Sequence, residues 1–475
     1  MRLNILGPSY EDAATQFSGQ RSINCYLQLS EVPGTRSEAI VRACYGVTAL
    51  ASPNIAGSVR GLKTHKGDGR LYAVIGSSFC YIDSAGAHTI LGTLTTTTGR
   101  VIMADGGQTS TDNQLLILDG TSSYVWNQAT TTFTTLSTAV LPSAITGTYL
   151  DGYYIVNQSE SSDTWEISAL NDATSWAAEQ TREASEADPI VRVIANHGEL
   201  WVFGSYTAKI WTNTGNIDFP FENLEGSLID RGLASKYAIV ADDNTLFWLG
   251  NDRIVYRANG YTPQRVSNFP IEQKLFACDE ACIANAWMGA HTEDGAKMIT
   301  LKLPGVDRCW QLNIATGLWH ERQTFGSNNW GWDHIETAYG KVIVGSSTNS
   351  TIGYLDSTKF TELGSTLQFT RTSGPISAEQ NPYIIDRLEV VTEAGVSDLS
   401  GEGADAEMLL YISKDGGKTW GNPMARDLGA RGDYIHRAVW RQLGQHYNSS
   451  FKVVITDPVR RTIMSAVAEV EPLSI

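Results

Sequence analysis

The chain has no run of about 18 apolar residues, so no segment is expected to cross a membrane as a helix. An apolar export signal is also missing at its start. Cysteine is sparse, with six residues at Cys25, Cys44, Cys80, Cys278, Cys282 and Cys309. Together these features predict a protein made in a reducing cytosol, not a disulfide-stapled secreted domain. Histidine numbers only eight, and the chain carries no H-E-x-x-H, no G-x-S-x-G and no Walker-type glycine loop, which removes the common local signatures of metalloprotease, serine hydrolase and nucleotide-binding chemistry. A Ser/His/Asp set drawn from distant segments stays open. Basic residues are in deficit, 35 Lys and Arg against 51 Asp and Glu, for a formal charge of -16. That balance argues against a protein whose main task is to grip a phosphate backbone, and it is also the ordinary device for solubility.

What is present favours strands. The chain holds 44 Gly, 13 Trp and 19 Tyr, residues that suit pleated half-buried surfaces and tight turns. Seven apolar hairpins recur, beginning at Leu71, Leu115, Tyr153, Leu200, Leu246, Met298 and Val342. They are spaced about 45 residues apart, the period of a four-stranded propeller blade. One blade cannot bury its own apolar faces, so the repeat predicts a closed ring. Two turns repeat the same residue types, Asn127-x-x-Thr130-x-x-Phe133 and Asn313-x-x-Thr316-Gly317-x-Trp319, as expected where an Asx side chain holds the turn and an aromatic packs beside it. A helix is expected from about Ile271 to Met288, on the three- and four-residue spacing of its apolar positions. Past 365 the strands lengthen and alternate, which predicts a β-sandwich.

The expected architecture is therefore all-β: a propeller of about seven blades, or six if two hairpins share one, over 51–364, followed by an antiparallel β-sandwich over 365–475. Residues 1–50 are expected to give either a ring-closing strand or an arm that reaches a neighbour.

Several clusters invite a chemical reading. Ser413, Asp415, Gly417, Thr419 and Trp420 spell S-x-D-x-G-x-T-W, which resembles the Asp-box turn of sialidases and other sugar-cleaving propellers. Here it occurs once, inside the sandwich region, and its residues are accounted for by a hairpin in which Asp415 caps amides and glycine supplies positive φ. Asp242 with Asp243, and Glu183, Glu186 and Asp188, are acidic clusters from which glycoside hydrolysis could draw its two carboxylates, though solvated loop ends are the default reading. Cys278 and Cys282 have no second Cys/His pair nearby and read as buried structural thiols. Arg437, Arg441, Arg460 and Arg461 make too thin a basic patch for nucleic acid, since interleaved aromatics are lacking. Trp440 with its flanking Arg437 and Arg441 forms a candidate protein interface. No catalytic, metal or cofactor residues are expected.

Several stretches in order along the chain resemble one family. They include "INCYLQLSEVPG" from Ile23, "GSVRGLKTH" from Gly57, "DTWEISALND" from Asp163, "REASEADPIVRV" from Arg182, "LWVFGSYTAKIWTNTG" from Leu200, "RVSNFPIEQKLF" from Arg265, "RAVWRQLGQ" from Arg437 and "FKVVITDPV" from Phe451. This pattern is similar to the packaged-DNA stabilisation proteins, or tail hubs, of short-tailed bacteriophages. The resemblance implies a non-enzymatic protein of the phage tail, synthesised in the host cytoplasm. It implies a homohexameric hub or nozzle docked below the portal and its adaptor ring, in contact with tail spikes or fibres and a tail needle or plug. Such a hub retains packaged double-stranded DNA and later conducts it without sequence-specific binding. The alternative is a glycan-active or glycan-binding propeller.

Overall fold

The computed structural model describes residues 5–35, 37–106, 114–158, 162–183, 188–306, 308–377, 381–398 and 400–473, without the side chains of 178–183. Apolar and aromatic strands alternate with turns that end on glycine, asparagine or aspartate, and these build an all-β chain with two short helices. Among the described residues, seven four-stranded antiparallel blades follow one another around an axis. Blades 1 to 6 lie at 59–93, 102–135, 146–183, 190–223, 239–265 and 287–321. Blade 7 takes three strands from 332–356 and its outermost strand from Gly46–Ala51.

Innermost strands run parallel around the ring. The amides of Val193 and Ala195 donate to Thr146 and Thr148 Oγ1 at 3.2 and 3.1 Å, while Thr64 Oγ1 donates to the Thr337 carbonyl at 2.8 Å between blades 1 and 7. Each blade face is covered by its neighbour. Between blades 4 and 5, Trp201, Phe203 and Ile210 meet Leu246, Trp248 and Tyr256; burying one such side chain contributes roughly 1.5–3 kcal/mol. The two repeated turns behave alike. Asn127 Oδ1 accepts from the Thr130 amide at 3.1 Å and Asn313 Oδ1 from the Ala315 amide at 3.0 Å. Their aromatics then reach the preceding blade: Phe133 stacks on Phe79, and Trp319 Nε1 donates to the Val266 carbonyl.

The ring is closed by the outermost strand of blade 7, Gly46–Ala51, which lies far from its partners in sequence. Val47, 1% exposed, enters a cluster with Trp330, Trp332, Val344 and Leu355. Gly46 and Gly353 permit this approach, since a Cβ on Gly46 would lie 2.4 Å from the Thr361 carbonyl oxygen and one on Gly353 2.5 Å from Val47 Cγ1.

The expected single helix is two, Phe269–Phe276 and Glu280–Ala284, and Trp287 and Met288 already belong to blade 6. Asp279 makes the break, because its carboxylate accepts from the Cys282 amide at 2.7 Å and caps the second helix. All six cysteines are buried and free. Burial pushes the thiols of Cys25, Cys80, Cys278 and Cys309 up to about 12, which leaves them protonated and inert.

The sandwich packs two five-strand arrays. One orders Cys25–Leu29, Ala39–Ala43, Thr462–Pro472, Tyr383–Thr392 and Ala438–His446; the other orders Gly19–Ile23, Phe369–Thr372, Asn448–Ile455, Glu407–Ser413 and Met424–Asp427. Val41, Leu388 and Trp440 from the first meet Met408, Phe451 and Val453 from the second. The opening residues thus serve both units, with strands in 19–43 entering the sandwich and Gly46–Ala51 entering the propeller. Moreover, Leu318–Glu321 of blade 6 runs parallel beside Gly19–Ile23, so blade 6 and one sandwich array share a continuous sheet.

Candidate functional site

Because the inner strands are parallel, their starts gather at one mouth of the propeller and their ends at the other. Arg60, Arg100, Arg192 and Lys236 stand near the starts together with Asp188 and Asp333, whereas Asp105, Asp151, Asp242 and Glu293 stand at or just past the ends. The two mouths therefore differ in charge along the axis.

The basic mouth holds a cavity of about 1170 Å3, lined among others by Arg60, Arg100, Tyr237, Lys302, Asp333 and His334. Arg60 is 3% exposed and donates to the carbonyls of Gly76, Thr96, Thr98 and Gly99 at 2.6–2.8 Å, which folds the loop that delivers Arg100. Arg100 then reaches blade 7, donating to Asp333 at 2.8 Å and to His334 Nε2 at 3.3 Å. Its guanidinium also lies 5.5 Å from the Trp287 ring of blade 6 and 5.8 Å from the Tyr237 ring at the entrance to blade 5. Tyr237 closes the circuit, with its hydroxyl 3.5 Å from the Arg100 carbonyl. Contacts between blades 2, 5, 6 and 7, which are not all neighbours, must pass through the axis. This end of the propeller's own channel is crossed by side chains, and a duplex whose major groove alone is about 12 Å wide cannot pass.

The electrostatics fix this arrangement. Burial alone would raise the Asp333 carboxyl, but Arg100 and Lys302, the latter donating at 2.6 Å, hold it at about 2. Burial and then the charge of Arg100 push His334 down to about 3, so its ring is neutral and accepts from Arg100. His334 also adopts φ 52° in a bulge of the blade 7 inner strand, a left-handed conformation held by its surroundings. A depressed carboxyl contributes stability above its unfolded value, 3.8 here, and loses it as the pH falls through the folded value. Urea unfolding should therefore lose about 2 kcal/mol from this group between pH 5 and about 2. That step should be absent from an Asp333→Asn variant.

Chemically the cavity is a strut. Among the described residues its two lining carboxylates, Asp333 and Asp279, are both engaged, the first by two cations and the second by a helix cap. Neither is free to act as one of the paired acids of glycoside hydrolysis.

A second cluster joins the two units. Glu321 of blade 6, 2% exposed, accepts from Arg21 at 2.6 and 2.9 Å, from Arg308 at 2.7 Å and from Ser9 Oγ at 3.0 Å. Burial by itself would raise its carboxyl; the guanidinium groups of Arg21 and Arg308 hold it below the usual carboxylate range. Nearby, Arg371 is fully buried and donates to the carbonyls of Ile5, Pro8 and Arg21 and to Ser22 and Gln20, clamping the N-terminal segment to the sandwich. Neither cluster has a local sequence signature, since its partners lie hundreds of residues apart.

The residues singled out by sequence are placed as follows. Ser413 and Asp415 close the hairpin on itself: Ser413 Oγ accepts from the Gly417 amide at 2.8 Å, and Asp415 accepts from the Lys418 and Thr419 amides at 2.9 Å and from Thr419 Oγ1 at 2.6 Å. Ser413 Oγ also donates to Asp415 at 2.7 Å, and this bond first, then those from Thr419 and Lys418, hold the Asp415 carboxyl well below its ordinary range. Asp415→Ala should abolish amide-exchange protection at Lys418 and Thr419 while leaving protection in the propeller unchanged. Trp440 is 1% exposed in the sandwich core and donates to the Met424 carbonyl, Arg437 pairs with Glu389 at 2.9 Å, and Arg441 is exposed. Arg461 is 2% exposed and bound to the carbonyls of Phe360, Leu367 and Ile455, so it cannot meet a phosphate. Asp242 pairs with Lys297, Asp243 with Arg257 at 3.0 Å, and Asp188 caps the 205–207 turn. The side chain of Glu183 and the whole of Glu186 lie outside the described residues.

No curated protein matches the chain. Among solved structures it is similar to YCF48 from Cyanidioschyzon merolae, at 10% identity over 66% of this chain and 98% of that one, with a TM-score of 0.43. It is similar also to the extracellular domain of a hybrid two component system from B. thetaiotaomicron, at 10% identity over 65% of this chain and 39% of that one, TM-score 0.42. U3-55K matches at 11% identity over 66% and 98% of the two chains, TM-score 0.39. Family models reach much further into the chain: that of the bacteriophage P22 Gp10 β-propeller matches residues 1–360, and that of the P22 Gp10 β-sandwich matches residues 368–471. With both halves matched in order, the chain belongs to the bacteriophage P22 Gp10 family and is a structural tail-stabilisation protein of the phage virion.

Proposed function

We propose that the chain is the repeating subunit of a homohexameric tail hub, docked below the portal and adaptor ring, that retains packaged DNA and later conducts it during ejection. The observation that carries this reading is the propeller axis crossed by side chains. With Arg100, Tyr237, Trp287 and His334 across it, a single subunit offers no passage for a duplex, so a conduit for DNA must lie between copies. Cyclic symmetry supplies such a passage when each copy presents two different surfaces to its neighbours. The charge of -16 suits the role, because many Lys and Arg contacts would hold DNA tightly at moderate salt. On this reading the wall of the shared channel is acidic or neutral, and the DNA slides past without sequence-specific contact. The remaining surface is available to tail spikes or fibres and to a needle or plug, and the function requires no catalysis.

Electron microscopy of particles assembled without this chain tests the proposal. Tailless heads that have lost their DNA are expected. Full, intact but non-infectious particles would overturn it and favour the alternative of an enzyme acting on surface glycans.

A further inference from the structure

The face of the second sandwich array that points away from the core forms the floor of a trough of about 520 Å3. Strand alternation sends Phe369, Met408, Leu410, Phe451 and Val453 into the core and leaves Thr370, Thr372, Tyr411, Lys452 and Val454 on the opposite face. The Asp415 hairpin, through Gly417 and Trp420, and the side chains of Thr15 and Phe325 also line the trough.

Lys452 lies in this floor, between Thr372 and Tyr411 as its cross-strand partners. Its ammonium sits 4.6 Å from the Tyr411 ring centroid and 4.5 Å from that of Trp420. The rings hold the cation in place but accept none of its three N–H bonds. Among the described residues no carboxylate pairs with it: Glu11, which also lines the trough, is paired with Arg21, Lys274 and Arg308, and the charge that acts on Lys452 is the like charge of Arg21. Burial and then Arg21 lower its pKa, so the charged form is under-stabilised when the trough is empty. Arg21 itself is satisfied by Glu321. Independently, Thr15 Oγ1 on the wall is buried without a hydrogen-bond partner.

We propose that this trough binds a carboxylate-bearing segment of a partner protein, with Lys452 Nζ as the ion-pairing group. A peptide fits better than a sugar because the faces of Tyr411 and Trp420 that would stack on a pyranose are already turned to Lys452. It fits better than nucleic acid because a chain of charge -16 repels a polyanion at long range, while a single carboxylate pays little. The hydroxyls of Thr372 and Thr456 offer hydrogen bonds to peptide groups, and Phe325 and Leu409 offer contact to apolar side chains. This inference is independent of the hub assembly.

The test uses the full chain and fluorescence anisotropy. Probes are a labelled six-residue peptide alternating glutamate and leucine, its glutamine counterpart, and an oligogalacturonate. The glutamate peptide is expected to bind, the glutamine peptide about tenfold or more weakly, and Lys452→Met to weaken the glutamate peptide by the same factor while Lys452→Arg retains it. Thr372→Glu places a carboxylate opposite Lys452 from within and should block binding, which decides the matter if Lys452→Met fails to fold. No binding of the glutamate peptide, equal binding to Lys452→Met and Thr372→Glu, or tighter binding of the oligogalacturonate would each overturn the proposal.

Discussion

Replacing Glu321 by alanine should cost about 3–5 kcal/mol and divide the unfolding of the chain into two transitions. The carboxylate is the shared partner of Arg21 and Arg308, and it lies where blade 6 and the sandwich strand Gly19–Ile23 run side by side. Removing it leaves the two guanidinium groups at a largely buried junction with only the half-buried Glu11, 3.8 Å from Arg21 and 3.3 Å from Arg308, as counter-charge, which is why the loss exceeds that of a surface ion pair. The continuous sheet makes the two units unfold together in the native chain, and the variant should release the sandwich before the propeller. Calorimetry checks this, with one transition expected for the native chain and two for Glu321→Ala; a single unshifted transition in the variant would refute the coupling. The acid arm has a defined sign. Because the folded carboxyl is depressed, its contribution is present above the unfolded value and disappears as the pH falls through the folded one. In Glu321→Gln that acid-dependent loss should be absent.

Val47→Asp should destabilise the chain by about 4 kcal/mol or more, the largest single effect expected in the propeller. Val47 is 1% exposed against Trp330, Trp332, Val344 and Leu355, and a carboxylate there would be buried among apolar side chains with the buried Glu362 as its ladder partner. The consequence reaches beyond the local cluster. If Gly46–Ala51 leaves, the strand Ile352–Asp356 becomes an open sheet edge and the ring loses its closure. Urea unfolding should show the lower midpoint, and light scattering should show concentration-dependent association. Ile90→Asp on blade 1, where Ile90 is 54% exposed, serves as the control and should stay within about 0.5 kcal/mol of the native chain.

These two sites also show where sequence reading runs out. Hairpins such as that from Leu71 were legible because alternation has a period of two residues and is local. The turns at Asn127 and Asn313 were legible for the same reason, since an Asx side chain bonds amides within a few residues of itself. Glu321 and Arg21 are separated by 300 positions, and no pattern within either stretch marks the other as its partner. The helical region illustrates the intermediate case. Its apolar spacing was visible, yet the break at Asp279 depended on a capping preference that competes with helix continuation. Trp440 is instructive as well: flanked by arginines in sequence, it has the look of an interface residue, but its strand turns the indole inward and the arginines outward.

The amino-acid sequence by itself determined the repeating hairpin, the turn chemistry, the all-β class and the acidic balance, because each depends on residue type and short-range spacing. Tertiary structure alone decided that Gly46–Ala51 closes the seventh blade, that blade 6 continues into the sandwich, and that Arg100 and Tyr237 cross the axis. Those outcomes arise from burial and charge pairing between segments far apart in the chain, and such energies exist only once the ring has brought the partners together.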